Sequence, residues 1–160
     1  MRLPGEILQG ILARAALTLL RVYLGAIFLV AGLPKLRQDF TPHLIRFLEQ
    51  VGLVQGHWFY QEFIRAVVLP NGGLFASLIS VGECVVGFLL VLGLCTRLAA
   101  AGALLLVVNY MLAKGAWFWT PSSNDAAFSV IAIALLIGAA GRTLGVDTVL
   151  ARRWPLSPLW

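Results

Sequence analysis

SVGECVVGFLLVLGLCTRL, Ser80 to Leu98, sets a single glutamate, Glu83, in a run that is otherwise almost wholly apolar. The surrounding block, Gly72 to Leu94, carries no other charge. At 1.5 Å per residue it reaches about 35 Å, enough to cross the hydrocarbon core of a bilayer. Glu83 then falls near mid-depth, where a charged side chain costs about 2.5–3.5 kcal/mol. Such a residue has to face protein rather than lipid and needs a partner there. A membrane-spanning helix inside a bundle is the reading that satisfies both demands.

Three further apolar blocks share this character. Ala15 to Leu33 contains one charge, Arg21, whereas Leu98 to Ala113 and Ala126 to Gly141 contain none. The blocks reach about 24 to 35 Å, the shorter two crossing only with help from flanking residues. The fold class expected is an all-α integral membrane protein. It is a four-transmembrane-helix bundle with spans at about 15–33, 72–94, 98–113 and 126–141, in a single domain over 1–160. The first block is not expected to be a cleaved signal peptide, because Arg21 interrupts it and no A-x-A site follows.

Composition agrees. Sixty per cent of the 160 residues are hydrophobic and 12% charged, against about 45–50% and about 25% in soluble domains. The net charge of +5 comes from basic residues scattered singly apart from Arg152 and Arg153, so no basic stripe points to nucleic acid. Cys84 and Cys95 lie too far apart along one predicted helix to bridge, and no CxxC occurs. Basic residues mark orientation: with N- and C-termini inside, Arg2, Arg14, Arg97, Arg142, Arg152 and Arg153 flank the inner ends. Lys35, Arg37, Arg46, Arg65 and Lys114 fall outside, mostly over a long loop.

That loop, 36–71, is too long to be featureless. TPHLIRFLEQVGL offers Thr41 as a helix cap followed by Pro42 and an apolar stripe, and HWFYQEFIRAVVLPNGG reads as a second helix ended at Pro70 and Asn71. Both are expected to be interfacial, covering the outer mouth. Trp58, Trp117 and Trp119 fit an aromatic belt at headgroup level, or the rim of a cleft for a flat apolar ligand. Between the second and third blocks only Cys95, Thr96 and Arg97 lie close to the turn, which forces an antiparallel hairpin.

The polar residues at membrane depth are Arg21, Tyr23, Glu83, Asn109 and Tyr110. Arg21, the only charge in the first block, is the expected partner of Glu83, with Asn109 and a tyrosine completing the cluster. Two roles stay open, structural glue between helices and a proton relay or polar end of a substrate pocket, for which Glu83 and Arg21 are the candidate catalytic groups. Lys35, Lys114, Asp125, Trp117 and Trp119 form an outer rim, with Ser122 and Asp125 spaced as a capping box. His43 and His57 are isolated imidazoles, so no metal is expected.

RVYLGAIFLVAGLPKL, GECVVGFLLVLGLCTRLAA and GAAGRTLGVD together resemble the DoxX family, which includes the DoxD-like small subunit of thiosulfate:quinone oxidoreductase. The resemblance rests on Arg21, Gly32 and Lys35; on Glu83, Gly93, Thr96 and Arg97; and on Gly141, Arg142, Gly145 and Asp147. It implies a four-helix protein of a prokaryotic inner membrane that works as an accessory or quinone-site-contributing subunit of a larger redox complex. Implied partners are the lipid bilayer and other membrane subunits. No cofactor is bound by a sequence motif; contact with quinone or lipid is implied instead. The alternatives are a thiosulfate:quinone oxidoreductase subunit, with Arg21 and Lys35 attracting the anion, and a small-solute transporter. A transporter would call for an internal repeat or a broken helix, neither of which is visible.

Overall fold

The computed structural model describes residues 4–121, 123–138, 140–142 and 144–154. Helix α1 runs Pro4–Arg37, α5 Gly72–Leu92, α6 Thr96–Lys114 and α7 Asp125–Gly138. α1 packs mainly on α5, α5 on α6, α6 on α7, and α7 returns to α1, so the four close a ring. The core at its centre joins Leu24 and Phe28 of α1, Val86 and Leu90 of α5, Ala99, Ala103 and Val107 of α6, and Ala132 and Leu135 of α7. Lipid-facing positions such as Val30, Leu78, Leu105 and Ile137 are left exposed. The runs Leu8–Arg37, Trp58–Leu92 and Thr96–Lys114 are long and apolar enough to cross a membrane. α7, with 14 residues, is about 21 Å long.

The tightest seam lies between α1 and α5. Arg21, Gly25, Phe28, Gly32 and Lys35 recur at alternating steps of four and three along one face of α1, and Ala76, Ser80, Glu83, Gly87 and Leu90 do so on α5. This is the stripe that lets two helices pack with their axes nearly aligned, here in antiparallel directions. Glycine permits the contact: a Cβ on Gly87 would stand 2.8 Å from the Gly25 carbonyl oxygen and the Leu29 backbone nitrogen, neither of which can swing aside. Gly82, by contrast, meets nothing nearer than the Leu106 side chain at 3.9 Å. Gly87→Ala is therefore expected to destabilise the protein by about 1–3 kcal/mol. Gly82→Ala should be neutral or gain up to about 1 kcal/mol from helix propensity. Thermal unfolding of both variants in one detergent checks the contrast.

The bundle has two unlike ends. At one, α5 closes at Gly93, which takes the left-handed conformation (φ 66°) while Leu94 N–H bonds back to the Leu89 carbonyl, a Schellman stop. Cys95 thus lies in the turn rather than on the helix of Cys84, and both thiols are free. We call this the terminal end; beyond it the first turns of α1 run on with every described side chain from Glu6 to Ala16 exposed. Helix α8, Asp147–Arg153, also sits there, packed on the Ala140–Arg142 turn.

The opposite, connector end carries the long connection. α2 spans Thr41–Phe47, continues through a wider π-helical turn, Leu48–Gly52, into α3, Leu53–Gln55. Thr41 begins this helix instead of capping it; Asp39 Oδ1 accepts the Thr41 N–H at 3.0 Å. α4, Trp58–Phe63, passes through a second π turn, Ile64–Val68, and a 3₁₀ turn, Leu69–Asn71, straight into α5. Pro70 therefore marks a bend, not an end: the Phe63 and Phe75 rings touch, 6.1 Å between centroids, where a straight helix would part them by about 18 Å. Its early place in the 3₁₀ turn makes the proline tolerable, and Asn71 Nδ2 donates to the Val67 carbonyl across the bend. The two limbs pack through Leu44, Leu48, Ile64 and Val68 onto Ala76 of α5, and His57 N–H bonds the Leu112 carbonyl of α6.

Candidate functional site

Glu83 does not pair with Arg21. Its carboxylate, 2% exposed, receives the Lys35 ammonium at 2.7 Å on both oxygens and the Tyr110 hydroxyl at 2.6 Å on Oε1. The register of the α1–α5 seam decides this. Gly32 lies against Glu83 and Cys84, whereas Arg21 lies against Gly93. The two helices are antiparallel, so Arg21 is fixed at the terminal end, about 15 Å from Glu83 along α5.

The expected five-residue cluster is thus divided. Tyr23 faces outward, 49% exposed. Asn109 accepts from the Tyr60 hydroxyl at 2.7 Å and donates to the Leu105 carbonyl, turning away from Glu83. Only Tyr110 joins Glu83. Tyr60, from α4, was not singled out by the sequence; nothing in its spacing reveals that the bend at Pro70 brings it back onto α6.

Lys35 links this buried group to the surface. Its side chain is 23% exposed, and the Phe40 and Tyr110 rings lie 4.9 and 5.9 Å from its nitrogen, close enough for cation–π attraction. It forms part of the wall of two open recesses, of about 230 Å³ beside Ser80 and about 190 Å³ beside His43, with Phe40 in both. On the far side of Tyr110, an apolar cavity of about 80 Å³ lies under the connector limbs between Leu48, Ile64, Tyr60 and Asn109. Both π turns border it through Leu48, Ile64 and Val68.

Arg21 has a different task. Fully enclosed, it donates to the Ala140 and Leu144 carbonyls at 3.0 Å each, with the Asp147 carboxylate attracting it. Asp147, also enclosed, accepts Cys95 N–H at 2.7 Å and Thr96 N–H at 2.9 Å, so it caps α6 from a distant part of the chain. Gly93 and Gly145 supply the room: a Cβ on Gly145 would stand 2.6 Å from Arg21 Nη1. The Arg142 side chain and Ser122 lie outside the described residues. Arg21 and Lys35 are separated by about 21 Å along α1, each already engaged, and cannot jointly hold one small anion.

At the rim, Lys114 pairs with Asp125 at 2.8 Å, and the Ser123 hydroxyl bonds both the Asp125 carboxylate and its N–H. Trp117 and Trp119 stack, 5.5 Å apart, and stay exposed. The His57 ring packs on Trp117 and reaches the Ala116 carbonyl. Among the described residues no group of three or more His, Cys, Asp or Glu is placed to hold a metal.

A family model for DoxX matches residues 16–120, about two thirds of the chain. The protein is a DoxX family member. No solved structure matches it. The DoxX match covers α1 from Ala16 onward, the connector limbs, α5 and α6, and so includes Lys35, Glu83 and Tyr110. It stops before Gly141–Asp147, which the structure nonetheless ties to Arg21 and Thr96. Family membership and the long apolar helices make this DoxX chain an integral membrane protein.

Proposed function

We propose that the protein is a quinone-contacting subunit of a larger redox complex in a prokaryotic inner membrane, with Lys35, Glu83 and Tyr110 meeting the quinone headgroup. The observation that carries this reading is a carboxylate at mid-helix, sealed from lipid, yet reachable through a lysine in the wall of a surface recess. Lys35 can donate to a ring carbonyl while the Phe40 face offers stacking. Lys35 and Tyr110 carry N–H and O–H protons of the kind a reduced ring requires, and the Glu83 carboxylate accepts from both. Electrons come from a partner subunit, since ordinary side chains carry none. In this reading α7 is a fourth crossing, its short length helped by flanking polar residues. Both termini face the cytoplasm and the connector limbs lie at the outer interface.

Tyr110→Phe separates chemistry from folding, because it keeps the ring and the Lys35–Glu83 pair. In nanodiscs, calorimetric titration with a short-chain benzoquinone should show affinity lowered about tenfold in this variant, the worth of one hydrogen bond in a dry site. Equal affinity, or no binding by the wild type, refutes the headgroup role. Mild-detergent purification tests the assembly: a co-purifying flavin, haem or iron–sulfur chain is expected, and a solitary protein refutes it.

A further inference from the structure

A second site stands apart from Glu83. Between the α2–α3 limb and the α6–α7 connection lies an open cleft of about 620 Å³, within the range of small-molecule sites. Its charged floor is the Lys114–Asp125 pair, its apolar walls are Phe47 and Phe128, and Gln55 and Asn124 stand at its edge. The pair is only half consumed. Lys114 Nζ and the Ser123 hydroxyl both go to Asp125 Oδ2, leaving Oδ1 with no hydrogen bond among the described residues. Lys114 is 41% exposed and gives Asp125 one of its three N–H groups. The side-chain amides of Gln55 and Asn124 likewise bond to none of the described residues.

We propose that this cleft binds a phosphoethanolamine group, its primary ammonium on Asp125 Oδ1 and its phosphate on Lys114. Charge selects the class. Because the floor is neutral in sum, a simple anion meets Asp125 and a simple cation meets Lys114, whereas a zwitterion satisfies both at once. Hydrogen bonding selects within the class, since a quaternary choline has no N–H for Oδ1 and a glycerol headgroup has no cation. Position favours a lipid as the source: Trp117, Phe118 and Trp119 follow directly from the cleft and are exposed, as rings at headgroup level are. Phe47 and Phe128 then face the start of the acyl chains.

Native mass spectrometry of the detergent-solubilised wild type, titrated with palmitoyl-oleoyl phosphatidylethanolamine, phosphatidylcholine and phosphatidylglycerol, tests this. Retention of the ethanolamine lipid should exceed that of the other two by about tenfold, the value of one charge-assisted hydrogen bond. Asp125→Asn should erase the preference while a matched melting curve reports folding. Competition by soluble O-phosphoethanolamine at similar concentration supports the same chemistry with a free solute as source; competition by the lipid alone supports a membrane source. Equal retention of the three lipids by the wild type, or a preference that survives in a folded Asp125→Asn, overturns the proposal.

Discussion

Lys35→Ala is expected to destabilise the protein by about 3–5 kcal/mol, the cost of leaving a buried charge without its partner. It should be worse than Glu83→Ala. The asymmetry follows from exposure: Glu83 is 2% exposed and its short side chain cannot itself turn into water, whereas the Lys35 side chain is 23% exposed and can turn into the recess beside Phe40. A stranded lysine snorkels; a stranded mid-helix carboxylate cannot. Replacing both, as Lys35→Met with Glu83→Leu, removes the pair together with its desolvation cost and should be far milder than either extreme, about 1 kcal/mol. Unfolding in mixed micelles with increasing denaturing detergent measures all three. If Glu83→Ala proves the more damaging single change, or if the double variant is the worst, Lys35 is not the group that neutralises Glu83.

The course of the helices was legible because lipid imposes it. Apolar blocks bounded by charge gave ends within a few residues for α5 and α6, although Gly93, counted inside the second block, is where α5 stops. Membership of DoxX was legible from three short motifs. The partner of Glu83 does not follow from counting charges inside the apolar blocks, because Lys35 lies just beyond the end of the first block and only its side chain returns to Glu83. The decisive signal was present elsewhere: Arg21, Gly25 and Gly32 share one face, so an antiparallel α5 that sets Glu83 against Gly32 sets Gly93 against Arg21, and Lys35, just beyond Gly32, reaches Glu83 with its long side chain. The Tyr60–Asn109 contact was not legible, since it depends on how sharply the chain turns at Leu69–Asn71. Local propensity marks such a bend without setting its angle.

At the terminal end, Asp147→Ala is expected to cost about 3–4 kcal/mol, and Asp147→Asn roughly half that. One side chain holds three things there. It accepts the N–H of Thr96, the first residue of α6, and that of Cys95 just before it, at a helix start with no side-chain cap from Cys95 itself. It restrains Cys95, a non-glycine residue in the left-handed region at φ 47°, a conformation that costs about 1–2 kcal/mol unless neighbours impose it. It also supplies negative charge near the enclosed Arg21 guanidinium. Alanine loses all three, whereas asparagine keeps one acceptor, and with it one of the two N–H bonds, while giving up the other bond and the charge. Crossing Asp147→Asn with Arg21→Gln then isolates the electrostatic part: a coupling of about 1–3 kcal/mol is expected for residues sharing one network, and strict additivity would show that the Asp147 charge does not help to hold Arg21. Because this knot joins α1, the α5–α6 turn and α8 without touching the Lys35–Glu83 pair, benzoquinone affinity of the folded fraction should stay unchanged in Asp147→Asn. The protein thus separates its buried charges by task, one group bracing the bundle at its terminal end and the other opening toward a recess.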